Sequence, residues 1–224
     1  MKNVNKLALK AMLAAGTIAV SQQAFAVAEL THPRDYIPAP PGTNVAVFYL
    51  DERSGESLYS DGGRIADNMG LDVKVATARF IHYTEINGYT IDPQIVIPHA
   101  KLEVGAAGQD STGVGDIVLG APIWLINDNE NKQWFSIAPF LHVPIGAYNE
   151  NKGVNWGKNT WRPVLEFGYV KGLTDNLYID FVGGVEWSSD NDDPFGGDKL
   201  EKDPIYRLNS MSVSYTHLRA HETV

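Results

Sequence analysis

The stretch LYIDFVGGVEWS, residues 177–188, decides the fold. Successive side chains of an extended chain point to opposite sides. Leu177, Ile179, Phe181, Gly183, Val185 and Trp187 therefore share one face, and Tyr178, Asp180, Val182, Gly184, Glu186 and Ser188 share the other. One face is apolar and the other mixed, over about the length a tilted strand needs to cross a bilayer.

The same pattern recurs upstream. Residues 134–145 set Phe135, Ile137, Pro139, Leu141, Val143 and Ile145 against Trp134, Ser136, Ala138, Phe140 and His142. Residues 161–170 set Trp161, Pro163, Leu165, Phe167 and Tyr169 against Arg162, Val164, Glu166 and Gly168. Residues 89–98 alternate likewise with Asp92 on the polar side, and residues 116–126 are apolar on both faces. Residues 43–50 and 71–83 read as the first two strands. In the second of these, Arg79 falls on the face begun by Leu71, Val73 and Val75, so a bulge near Thr77 is expected to return it to the polar side. Prolines lack a ladder donor, which predicts bulges or breaks near Pro93, Pro122, Pro139 and Pro163. With the start of a further strand at 203–211, the count is seven strands and part of an eighth.

The predicted connections alternate long and short: 51–70, 84–88, 99–113, 127–132, 147–160, 172–176 and 188–203. One end of the sheet is thus elaborated and the other is not, as in bacterial barrels with tight periplasmic turns and long outer loops. Tyr83, Tyr89, Trp161, Tyr169 and Trp187 near strand ends suit interfacial girdles. The expected fold is all-β: an antiparallel, up-and-down transmembrane β-barrel, C-terminally truncated in this sequence and occupying residues 43–211. A secreted, soluble β-sandwich that binds a ligand is the alternative, because alternation alone does not distinguish lipid from a second sheet.

The ends of the chain carry separate messages. Lys2, Lys6 and Lys10, an apolar run over 11–20 and the sequence Ala24-Phe25-Ala26 form a cleavable signal peptide, residues 1–26, whose apolar core is too short to span a bilayer. Residues 27–42 are a proline-rich lead-in that lies in the periplasm or reaches into the lumen. The run 213–223 is similar to one translated frame of a transposase adapter used in sequencing libraries, so residues 212–224 are expected to be adapter sequence, and His217 and His221 are excluded from any site.

Composition narrows the function. The net charge is −9, and loss of the signal lysines makes the exported part more acidic, which disfavours nucleic acid. There are no cysteines, so neither a disulfide scaffold nor a thiolate metal site is available. The acidic run 189–198 offers oxygen ligands without the EF-hand spacing and reads as a solvated turn. Ser136 and His142 share a face about 20 Å apart, too far for a hydrogen-bonded pair within one strand. With no GxSxG or HExxH motif, an outer-membrane hydrolase is disfavoured. No enzyme activity, cofactor or metal is expected.

The runs Pro33-Arg34-Asp35-Tyr36-Ile37-Pro38, Tyr89-Thr90-Ile91-Asp92-Pro93-Gln94, Gly113-Val114-Gly115-Asp116, Pro144-Ile145-Gly146-Ala147-Tyr148 and Leu200-Glu201-Lys202-Asp203-Pro204-Ile205-Tyr206 resemble the family named for the meta-pathway of phenol degradation. The resemblance implies an outer-membrane channel or transporter for small hydrophobic or aromatic compounds. Outer-membrane lipids and the barrel-assembly machinery would be its partners. No catalytic residue comes with the resemblance.

Arg79, Asp92, Asp116, His142, Arg162, Glu166, Asp180 and Glu186 then face the lumen, interleaved with Trp124, Trp134, Phe140 and Tyr178. They form either a polar and aromatic conduit or an internal brace in which Arg162 pairs with Glu166 or Asp180.

Overall fold

In the computed structural model, residues 33–60 and 63–214 are described. The signal peptide and residues 215–224 lie outside them. One antiparallel sheet contains every strand of the described residues. Its main path runs β1 (Asn44–Ser60), β2 (Gly63–His82), β5 (Gln94–Val104), β7 (Ile117–Gly120), β9 (Gln133–Val143), β10 (Arg162–Gly172), β11 (Leu177–Glu186) and β12 (Ile205–Ser214). Four shorter strands lie off this path: β3 (Thr84–Ile86), β4 (Tyr89–Ile91), β6 (Gln109–Val114) and β8 (Ile123–Asp128). Sequential neighbours in a single sheet are an up-and-down barrel wall and replace the two-sheet sandwich. β1 and β12 are its edges and do not pair with each other. β12 continues through Ser212, Val213 and Ser214, past the boundary drawn at 211.

The faces of β9, β10 and β11 follow the alternation. Ser136, Ala138, His142, Arg162, Val164, Glu166, Val170, Asp180, Val182 and Glu186 are buried, whereas Phe167 and Phe181 are exposed on the convex side. That convex apolar face belongs against lipid. Phe167→Arg should cost about 2–4 kcal/mol if it sits near the bilayer midplane. Urea unfolding in lipid vesicles checks this, and an unchanged midpoint would place the residue out of the hydrocarbon.

Several expectations are corrected. The long connections 51–70 and 99–113 are mostly strand: β1 and β2 pair as far as Ser60 with Gly63, and β5 and β6 pair around the short 3-10 turn Gly105–Ala107. The outward positions of these hairpins include Glu52, Glu56 and Lys101, so neither face is apolar and the period-two signal fades although the hydrogen-bond ladder continues. The connection 84–88 shrinks to the turn Asn87-Gly88, both residues at positive φ (53° and 83°), as a tight hairpin requires. There is no bulge at Thr77: Val73, Thr77, Arg79 and Ile81 share the inner face in unbroken register with β1 and β5. Leu71, Val73 and Val75 therefore belong to the inside. Tyr83 points inward and packs on Trp124, ring centroids 6.0 Å apart, instead of joining a girdle.

The prolines act together. β4 gives way to β5 at Asp92-Pro93 and β7 to β8 at Ala121-Pro122, while β9 and β10 run through Pro139 and Pro163 with no register shift. Pro139 O accepts from Ala121 N at 3.1 Å, so the proline's donor-less side faces the break between β7 and β8. Pro163 O accepts from Trp187 N just beyond the end of β11. Each of these two prolines sits where its neighbouring strand asks for no donor.

Candidate functional site

The polar interior residues separate into two clusters. At the short-turn end the lead-in segment enters the space enclosed by the sheet. Gly42 N donates to Tyr83 O (2.7 Å) and Tyr83 N to Thr43 O (2.9 Å), which fixes where the chain turns inward. Arg34 N donates to Asp180 Oδ2 at 2.5 Å, and its guanidinium lies 4.5 Å from the centroid of Tyr178, which stacks on Trp134. Asp35 pairs with Arg79 (3.3 Å). Arg79 Nε donates to Gln94 Oε1 (2.7 Å), and Gln94 Nε2 donates to Asp92 Oδ1 (2.9 Å). Tyr36 OH donates to Glu166 Oε2 at 2.5 Å, and Trp124 Nε1 donates to Tyr36 O at 2.9 Å.

The wall is shaped for this segment. A Cβ on Gly168 would lie 2.2 Å from Tyr36 Cγ, so only glycine lets the ring lie flat on β10. The paired breaks at Pro93 and Pro122 are joined by Asp92 N donating to Pro122 O (3.0 Å) and set Asp92, Gln94 and Trp124 around the same space. The void left beside Tyr36, Arg79, Asp92, Trp124 and Glu166 is about 30 Å³. That is room for a water or two, and not for an aromatic ring beside Tyr36.

The second cluster lies toward the long-loop end. Arg162 Nη1 reaches Glu186 Oε1 (3.2 Å), and its Nη2 lies 2.9 Å from His142 Nδ1 and 3.5 Å from Asp116 Oδ2. Arg207 of β12 approaches the second Glu186 oxygen at 3.0 Å. Asp116 also accepts backbone N–H bonds from Gly146 and Lys158, both at 3.1 Å, and so ties the connection 144–161 inward.

Arg162 thus pairs with Glu186 and Asp116, not with Glu166 or Asp180, which the lead-in segment takes. Of the predicted residues, Arg79, Asp92, Glu166, Tyr178 and Asp180 meet around residues 34–36, and His142, Arg162 and Glu186 meet 116 and 207. In the 189–198 run, Asp190 pairs with Lys199 at 2.7 Å, and Asn191 accepts from Asp193 N and Asn159. Ser136 is buried across the strand pairs from Gly168 and Trp124. Arg34, Asp35 and Tyr36 were missed as site residues, because a proline-rich segment has no periodicity to assign it a face. The one available signal was Gly168, a gap in the inner row of β10.

A single curved sheet with an apolar convex face and a charged, filled concave one is a membrane-barrel wall. The sequence model described as "Putative MetA-pathway of phenol degradation" matches residues 54–220. The chain belongs to this family. It is also similar to the crystal structure of an outer membrane channel from Pseudomonas putida F1, at 30% identity and a TM-score of 0.77, with 81% of this chain and 70% of that one covered. No curated protein matches the sequence. That neighbour is described as an outer membrane channel.

Proposed function

We propose that the chain forms most of an outer-membrane channel for small apolar or aromatic molecules, held shut near its periplasmic end by its own residues 33–37. The signal peptide 1–26 exports it, the barrel-assembly machinery inserts it into outer-membrane lipid, and further strands close the sheet between β12 and β1. The observation that carries this reading is the interior itself, where charged groups alternate with aromatic rings that offer apolar footholds. Arg79, Asp92, Glu166, Tyr178 and Asp180 line the lower part of the path, and His142, Arg162 and Glu186 line the upper. The similarity to an outer membrane channel and the family's link to phenol degradation support passage of aromatic compounds.

Expression of the full-length gene tests it. The outer-membrane fraction should give a band whose gel mobility shifts on boiling, and cells carrying the gene should take up a labelled monoaromatic at low external concentration faster than cells without it. Equal uptake from a correctly inserted barrel would rule out the aromatic cargo. A soluble product with no mobility shift would rule out the channel.

A further inference from the structure

Tyr36 is held as a ligand would be. Its ring is 6% exposed, lies on the bare backbone of Gly168 and belongs to the interior apolar cluster with Trp124, Ala138, Phe140 and Val164. Its hydroxyl meets the buried Glu166 carboxylate, which is 3% exposed. A flat slot bounded by aromatic and apolar groups, with one acceptor at its end, fits a phenol: a planar ring with one donor.

We propose that this slot is a phenol-binding site, occupied by the chain's own phenol in the closed state, and that a free phenol in the lumen competes with Tyr36 for it and loosens the plug. The inference rests on the channel reading and adds the ligand class and the trigger. Glu166 supplies the selectivity. A ring without a hydroxyl leaves the buried carboxylate without its donor, so phenol should be preferred over toluene by on the order of 100-fold. Loosening follows from linkage: whatever binds the slot only when Tyr36 has left it shifts the population toward the unplugged state.

The test uses the full-length protein and its Tyr36→Ala variant, with phenol and toluene as probes, read both by thermal stability in detergent and by conductance in planar bilayers. Tyr36→Ala should conduct more than the parent. Phenol should raise the variant's melting temperature and lower its conductance, toluene should do neither, and Glu166→Leu added to Tyr36→Ala should erase the difference between the probes.

In the parent, phenol should raise conductance. A Tyr36→Phe protein, whose ring has lost its donor, should need about tenfold less phenol for the same rise, the worth of one hydrogen bond. This gives a second measure if Tyr36→Ala does not fold. Equal responses to phenol and toluene would overturn the slot even if Tyr36→Ala conducts more. Unchanged conductance of a folded Tyr36→Ala, with phenol still selectively stabilising it, would leave the slot standing and overturn the plug.

Discussion

Gly168→Val in the full-length protein is expected to convert a closed barrel into an open one without unfolding it. The valine Cβ would stand 2.2 Å from Tyr36 Cγ, closer than atoms approach, so either the wall or the ring must move. Overpacking of this kind costs about 1–3 kcal/mol when the surroundings are fixed. Here the strand is held by its ladders on both sides, so it is the ring that gives way, and the lead-in segment leaves with it. Gly168 lies within a regular strand in register with Ser136 and Val182, so valine fits its backbone. At Gly183, by comparison, an added Cβ meets nothing nearer than 3.7 Å, and Gly183→Ala should stay closed.

The absence of cysteine makes a second readout simple. A thiol introduced by Ala39→Cys should react slowly with an impermeant maleimide in the parent and quickly in Gly168→Val. High conductance with a protected thiol, or a reactive thiol with no conductance, would separate the wall from the plug and refute their coupling.

Arg162→Ala is expected to produce the largest loss of stability. The guanidinium faces Asp116, Glu186 and His142 in a space where all three partners are nearly sealed from solvent. Removing one member of a buried ionic group strands the others, at a cost of about 3–5 kcal/mol. Glu186 retains Arg207, so the loss falls mainly on Asp116 and on the connection 144–161 that it holds. The check is the temperature at which the compact gel band converts to the unfolded one, which should drop clearly. Arg162→Lys should drop less, since it keeps the charge but not the fork. An unchanged temperature for Arg162→Ala would mean that water already solvates these carboxylates. Conductance should change as well, with insertion retained.

The fold was legible where lipid imposes a rule. β9, β10 and β11 announce themselves because one face must be apolar and the other need not be. Above the lipid that rule lapses, which is why 51–70 and 99–113 read as loops and proved to be paired strands. Arg79 misled for the opposite reason: an interior packed with Val73 and Ile81 is locally as greasy as the outside, and the charge was the truthful residue of that row. The prolines were read for the strands that contain them, when at Pro139 and Pro163 the discontinuity belongs to the neighbour. The plug contacts escaped sequence reasoning entirely, since they join residues 130 and 146 positions apart.

The long hairpin of β1 and β2 places the protein in a wider setting. At about 3.3 Å per residue, a strand the length of β2 measures roughly twice the 25 Å apolar band of an outer-membrane barrel, even allowing for tilt. On the channel reading, its far end, with Glu52, Arg53, Glu56, Arg64 and Asp67 exposed on it, stands clear of the membrane on the long-loop side. To an antibody or a phage fibre on that side, this polar ribbon is the face the protein presents, and its exposed charges can vary so long as Leu58 and Ala66 keep their packing on Met69, Val104 and Val154.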